Sequence, residues 1–162
     1  MLRGLPPIMD ERARVLILGS FPSEASLAAQ QYYAHRQNQF WKILGAILEQ
    51  PLFEMDYAAR QRAVLAAGIA IWDVYATCER AGSLDSAIRN GVPNDFSKPR
   101  NSALAGRHDL PQVCFNGQTA GRFAPVLQVL GFETLILPST SPANAGWNFE
   151  RKLAAWRNGL AV

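Results

Sequence analysis

The sequence predicts an α/β fold, a three-layer α/β/α domain on a central, mainly parallel four-stranded sheet. Two observations predict it. Four short apolar runs, at 14–18, 69–74, 112–115 and 134–137, are separated by stretches of helical periodicity. Each run is also continuous instead of alternating, the pattern of strands buried on both faces and hence of a parallel sheet covered by helices. The 162 residues fit one domain, 1–162, with enough chain to bury a core.

The elements follow in order. The run RVLIL at 14–18 ends at Gly19, whose lack of a side chain favours a turn. Phe40, Ile43, Leu44, Ile47 and Leu48 recur at helical spacing, so a helix follows Asn38, and Pro51 marks its end. Residues 57–67 read as an alanine-rich helix closed by Gly68. After the strand at 69–74, a short helix is expected over 83–90, with Gly91 behind it. Residues 94–111 give a mixed signal, because a helix starting near Asp95 is interrupted by Pro99. The strand at 112–115 leads to a helix over 119–130 capped by Gly131, and the strand at 134–137 follows. Phe149, Leu153, Trp156 and Leu160 stripe a last helix.

Composition excludes several classes of function. Half the residues are hydrophobic, which argues against disorder, and no apolar run reaches the ~18 residues a membrane span needs. The first seven residues lack the apolar stretch of a signal peptide. The two cysteines, Cys78 and Cys114, are too few for an iron–sulfur cluster and suggest a reducing, cytoplasmic setting. No His/Cys cluster has metal-ligand spacing, and no GxGxxG or P-loop follows a strand, so neither a metal nor a nucleotide cofactor is expected. The net charge of +3 permits binding to nucleic acid without requiring it; Lys98, Arg100, Arg107 and Arg122 outweigh Asp109 between Phe96 and Phe132. A monomer is expected.

Ligands of parallel sheets bind beyond the carboxyl ends of the strands. Gly19 onward, Asp73, Asn116 and Ser139 all follow strand ends, so polar candidates converge on one edge. One segment stands out, running from Gly19-Ser20-Phe21-Pro22-Ser23 to Tyr33-Ala34-His35-Arg36-Gln37-Asn38-Gln39-Phe40-Trp41. It is crowded with aromatics and neutral amides and carries no carboxylate between Glu24 and Glu49.

This segment resembles the first motif of the uracil-DNA glycosylase superfamily, in the form of its hypoxanthine-DNA glycosylase branch. The stretch Leu137-Pro138-Ser139-Thr140-Ser141-Pro142-Ala143-Asn144-Ala145 is similar to the second motif. Ile71-Trp72-Asp73-Val74, Arg80-Ala81-Gly82-Ser83-Leu84-Asp85 and Phe115-Asn116-Gly117 match further blocks in family order, so the resemblance spans roughly residues 14–156. It implies a monofunctional enzyme of base excision repair. Such an enzyme flips a deaminated base, here hypoxanthine, out of DNA and hydrolyses its bond to the sugar with a positioned water. Two other functions stay open: a mismatch-specific uracil-DNA glycosylase, and a non-catalytic α/β module that binds nucleotides or DNA.

The resemblance also implies roles. Asn38 holds the catalytic water; the sister branch places its water-holding Asn where Phe21 stands here, and Phe21 cannot serve. As a bare residue, Asn38 is equally a helix N-cap, and the two roles are compatible. Tyr33 corresponds to the aromatic that stacks on the flipped base, and Ser20 and Phe21 join it in the base site. Asn116 would read the base edge, its amide offering both a donor and an acceptor; alternatively it is a turn residue before Gly117. His35 is assigned catalytic support, against the alternative of a structural histidine. Ser139, Thr140 and Ser141 would hold DNA phosphate through hydroxyls and backbone N–H groups, while Ser141 with Pro142 also fits a helix start. Asn144 and Ala145 lie in the loop that wedges into DNA in relatives, and here that loop is small and polar. Of three lysines, only Lys42 lies near a motif, one turn after Asn38, as a phosphate contact or a solvated side chain. None is placed as a Schiff-base nucleophile, so no strand cleavage is expected.

Overall fold

The computed structural model describes residues 1–97 and 111–162. Its centre is a four-stranded, all-parallel sheet of β2 (Val15–Gly19), β3 (Ile69–Asp73), β6 (Gln112–Asn116) and β7 (Thr134–Leu137), in the order β3-β2-β6-β7. β2 and β3 are buried at every position, as their unbroken apolar sequences require. Register is aligned across the sheet: Val15 pairs with Ile69 and Gln112, and Leu18 with Trp72 and Phe115.

Helices α1 (Glu24–Ala29), α2 (Phe40–Leu48) and α3 (Tyr57–Ala66) connect β2 to β3. Helices α4 (Gln118–Gly121) and α5 (Ala124–Val129) connect β6 to β7. The two crossovers run in opposite directions along the sheet, and right-handed connections therefore put their helices on opposite faces. α6 (Phe149–Gly159) packs against α2 and β7. The three-layer domain is the predicted one. Its core centres on Phe40, Trp41, Phe115 and Trp156, each at most 1% exposed, with the Phe40 and Trp156 rings edge to face at 6.0 Å.

Four expectations need correction. The helix expected over 83–90 is a single 3₁₀ turn, Asp85–Ala87, followed by a strand, β5 (Arg89–Pro93). β5 pairs antiparallel with β4 (Tyr75–Glu79), and β1 (Leu2–Arg3) completes a separate three-stranded sheet in the order β1-β4-β5. Gly91 does not end a helix there. A Cβ on it would meet the Tyr75 ring at 2.4 Å, so its glycine permits strand-to-ring contact. The helix expected over 119–130 breaks in two, because Pro125 lacks an N–H and its ring would crowd the carbonyl of Gly121; it is tolerated only in the first turn of α5. Pro142 starts no helix: 141–143 form turns, and α6 begins at Phe149 behind an Asn148 cap whose Oδ1 accepts from the Arg151 N–H at 2.8 Å. No helix starts at Asp95: residues 94–97 are irregular, with Asp95 Oδ1 accepting from the Ser97 N–H at 2.9 Å, while Pro99 and the charges of Lys98, Arg100, Arg107 and Asp109 fall outside the described residues. Among the described residues, no helix is long and apolar enough to cross a membrane.

Candidate active site

Parallel strands bring all their carboxyl ends to one edge, and a cleft of about 530 Å³ opens there. Every predicted site residue but one lines it. The exception is Lys42, which is exposed on α2 with its Nζ 4.6 Å from the centre of the Phe53 ring.

The two ends of the sequence resemblance meet in one hydrogen-bonded run. Asn116, at the tip of β6, donates from Nδ2 to Thr140 Oγ1 at 3.0 Å and accepts from the Thr140 N–H at 3.0 Å. Thr140 Oγ1 in turn donates to Asn38 Oδ1 at 2.8 Å. The same Asn38 oxygen accepts from the Phe40 N–H at 2.9 Å, and the Gln39 N–H donates to the Thr140 carbonyl at 3.1 Å. Asn38 is not the N-cap of α2, which is Gln39; it stands one residue before the cap, where its Oδ1 takes the first helical N–H from outside the helix and its side chain also lines the cleft. The Phe40 N–H can only meet an acceptor, which fixes the amide's orientation and leaves its Nδ2 donors turned to other partners.

Thr140 requires a correction. It is fully buried, and its hydroxyl is engaged at both ends. It cannot present that hydroxyl to a phosphate; it ties Asn116 to Asn38. Asn116 differs from its expected role as well, since both ends of its amide are held by Thr140. One N–H remains, on the side of Tyr33, where it pulls the phenol pKa downward against a larger upward push from burial.

Tyr33 is built in from both sides. The preceding Tyr32 is held by its hydroxyl on the Leu5 and Pro6 carbonyls and by the Trp41 indole N–H on its own carbonyl at 2.9 Å. That anchoring maintains Tyr33 at φ 54°, a left-handed conformation costing a non-glycine residue about 1–2 kcal/mol. Its ring stacks on Phe40 at 3.9 Å and 22°, so one face is covered. Its hydroxyl is buried with no hydrogen bond of good geometry. Phe21, buried behind β2, carries the Arg80 guanidinium 5.3 Å from its ring centre, and Ser20 donates to Asp85 Oδ1 at 2.6 Å. His35 is exposed at the lip, and its Nδ1 accepts from the Gln37 N–H at 3.2 Å.

The loop after β7 braces itself. Ser139 Oγ accepts from the Ser141 N–H at 3.1 Å, Ser141 Oγ accepts from the Ala143 N–H at 3.2 Å, and Asn144 Nδ2 donates to the Ser139 carbonyl at 3.1 Å. The oxygens of Ser139 and Ser141 are engaged by the loop, while their hydroxyl hydrogens remain as donors. Gly117 at φ 99° lets this loop approach, since a Cβ there would meet Ser139 Cβ at 3.1 Å. Lys152 also reaches it: buried on α6, it donates to the Ser141 carbonyl at 3.4 Å, and burial pulls its pKa down. Proximity to the motif thus belongs to Lys152 as well as Lys42, through a helix remote in sequence.

Sequence reasoning placed Asp73 at a strand end but gave it no role. It is 4% exposed, and its Oδ2 has no hydrogen-bond partner. Burial, with the Asp85 carboxylate adding to it and Arg80 opposing, pushes its pKa up to about 7. The signal was present: Asp73 is the lone charge in an otherwise apolar strand. Among the described residues, no cluster of His, Cys, Asp and Glu side chains could hold a metal ion.

Known proteins resemble this chain along nearly its whole length. The model of the uracil DNA glycosylase superfamily matches residues 6–159. A protein named hypoxanthine DNA glycosylase from Methanosarcina acetivorans is 38% identical over 150 residues, covering 93% of this chain and 92% of its own. One of the same name from Methanosarcina barkeri is 37% identical over 159 residues, covering 98% and 95%. A solution NMR structure from Methanosarcina acetivorans, described as a candidate uracil DNA glycosylase, superposes with a TM-score of 0.84 at 37% identity, covering 97% of this chain and 94% of that one.

Proposed function

The chain belongs to the uracil DNA glycosylase superfamily, and we propose that it is a monofunctional glycosylase that excises deaminated bases, hypoxanthine foremost, from DNA. The observation that carries this reading is the run Asn116–Thr140–Asn38. It fixes two neutral amides side by side in a cleft that also holds a stacked tyrosine. A module that only bound DNA would have no need of a water-holding amide braced in this way. The names of the curated relatives support hypoxanthine as the base.

The chemistry follows from the residues. A base turned out of the stack would lie on the face of Tyr33 that Phe40 leaves uncovered, a contact worth roughly 1–3 kcal/mol for any base. Asn38, locked by Phe40 and Thr140, would direct its free Nδ2 donors at the oxygen of a water. That holds the water beneath the sugar carbon as the bond to the base stretches. The sugar develops oxocarbenium character, so the water needs placement more than early deprotonation. The Ser139 and Ser141 hydroxyl hydrogens and Asn144 would meet the flanking phosphates. Lys152 is too deeply buried against the Ser141 carbonyl to attack the sugar, consistent with base removal and no strand cleavage. The reaction requires no cofactor.

A second reading, uracil removal from mismatches, is favoured by the description of the structural relative. Labelled oligonucleotides carrying hypoxanthine, uracil or xanthine, single- and double-stranded, distinguish the two. Excision is read as alkali-dependent cleavage at the lesion. Hypoxanthine should be released fastest, with no cleavage before alkali. Faster release of uracil supports the second reading, and release of no base refutes both.

A further inference from the structure

Lys152 is a charged residue that the chemistry above leaves unused. It lies on α6 only 2% exposed, and lysines are almost never buried so completely unless paired. Among the described residues no carboxylate pairs with it, and burial alone moves its pKa. Its ammonium carries three donors and makes one long bond, 3.4 Å to the Ser141 carbonyl. A cation buried without a counter-charge weakens the fold. Such a residue calls for an anion that the chain does not supply.

Its position shows where that anion would sit. Lys152 and Trp156 stand one turn apart on the same face of α6. Trp156 Nε1 donates to the Pro138 carbonyl at 2.8 Å and Lys152 donates to that of Ser141, so one helix face holds both ends of the loop after β7. The carbonyls between are also turned to donors within the protein, Ser139 to Asn144 Nδ2 and Thr140 to the Gln39 N–H, each at 3.1 Å. The Asn144 N–H adds a second bond to the Ser141 carbonyl at 3.0 Å. With these acceptors engaged, the loop keeps the hydroxyl hydrogens of Ser139 and Ser141 for a ligand. Residues 138–141 line the cleft and Lys152 does not, so the ammonium stands behind the loop.

We propose that Lys152 is a positioning residue for DNA, supplying from behind the loop the counter-charge for one backbone phosphodiester seated on Ser139 and Ser141. This assignment rests on the glycosylase function proposed above. The ammonium does not touch the phosphate. It acts through the loop in two ways: it keeps the Ser141 carbonyl turned away from the anion, and its field reaches the anion through protein, where a charge is screened less than in water. The phosphate in turn favours the charged lysine, against the downward pull of burial. The free protein therefore carries a destabilising charge that bound DNA neutralises.

The test removes the charge from each side in turn. Wild type, Lys152→Met and Lys152→Gln are compared on hypoxanthine oligonucleotides in which one phosphate at a time, on either side of the lesion, is replaced by an uncharged methylphosphonate. Single-turnover rates against enzyme concentration give the half-saturating concentration and the maximal rate. Methionine fills the space without charge, and glutamine keeps a neutral donor for the Ser141 carbonyl. Lys152→Met should melt no lower than wild type, because an unpaired buried charge is gone. On unmodified DNA both variants should need at least ~5-fold more enzyme for half-saturation, with the maximal rate within ~3-fold of wild type. At one phosphate position the methylphosphonate should weaken wild type at least ~10-fold and both variants less than ~3-fold, since it removes the charge that Lys152 answers. Equal losses in wild type and variants at every position overturn the assignment. So does a glutamine variant that saturates like wild type, which would leave a role for the hydrogen bond alone. Failure of both variants to fold makes Lys152 a structural tether and overturns it as well. Each of these outcomes leaves the glycosylase function standing; a wild-type protein that excises no base overturns that function and this assignment with it.

Discussion

Replacing Thr140 with valine isolates the link between the two halves of the site. Valine keeps the shape of threonine and removes only the hydroxyl, which accepts from Asn116 Nδ2 at 3.0 Å and donates to Asn38 Oδ1 at 2.8 Å. The Asn116 donor is left in a site only 9% exposed, and an unpaired buried donor costs about 1–3 kcal/mol. Asn38 Oδ1 keeps its bond from the Phe40 N–H, so its share is smaller, about 0.5–1 kcal/mol. A net loss of about 2 kcal/mol should lower the urea midpoint by about 1 M, measured by tryptophan fluorescence. Excision should fall further than stability explains, by roughly 10–100-fold, because the Asn38 amide is no longer held. Thr140→Ser keeps the hydroxyl and should recover most of the rate while giving up only a methyl group. If valine lowers stability as expected yet excises hypoxanthine at the wild-type rate, Thr140 does not position Asn38. If serine is as impaired as valine, the hydroxyl without the methyl group does not suffice to position Asn38.

The remaining predictions address the other members of the site. Asn38→Ala should lower single-turnover excision by at least ~100-fold, the usual effect of losing one preorganised group, while loss of its hydrogen bonds from the Phe40 N–H and the Thr140 hydroxyl lowers stability by about 1–3 kcal/mol; a near wild-type rate would move the role elsewhere, with His35 examined first. Tyr33→Ala should slow hypoxanthine and uracil excision by similar factors, since stacking tolerates any base, and Tyr33→Phe should be the milder change for both; a strong switch in base preference in the alanine variant would refute the stacking role. Asp73→Asn should stabilise the protein above about pH 7. The native pKa of about 7 lies above the unfolded value near 3.8, so the folded state holds a proton the unfolded state has released, and wild-type stability falls as pH rises between them. The carboxylate faces Asp85, Arg80 and the Tyr33 and Tyr32 hydroxyls, of which Arg80 alone favours ionisation. The deficit amounts to about 4 kcal/mol at most, and urea midpoints of the two proteins should converge toward pH 4; a variant less stable than wild type at pH 8 contradicts the burial argument.

Local sequence was enough to specify the central sheet and to bring the site to one edge. Continuous apolar runs call for a parallel sheet covered by helices, and a parallel sheet gathers Gly19, Asp73, Asn116 and Ser139 at its carboxyl end; only β7, at the edge, is less covered than its sequence implies, with Leu135 and Ile136 exposed. Phe40, Ile43 and Leu44 were legible as core from their helical spacing, and they are buried. The break in the helix at 119–130 was also written in the sequence, at Pro125. What was not legible depends on groups remote along the chain. The stretch 83–90 read as a short helix because the strand character of β5, which begins at its end, comes from pairing with β4 and from the Tyr75 ring beside Gly91. Thr140 looked like a phosphate contact because nothing nearby shows that it is buried or that its hydroxyl reaches Asn38, 102 residues away. Asp73 stood in plain view within its strand, yet its raised pKa and its place near Tyr33 arise only when β2, the turn carrying Tyr33, and the charges of Asp85 and Arg80 are brought to the end of β3. Hydrophobic periodicity is a local property and survives in one dimension. Hydrogen-bond satisfaction and desolvation depend on what surrounds a group in space, and for Asn38, Thr140 and Asp73 only the folded chain supplies those surroundings.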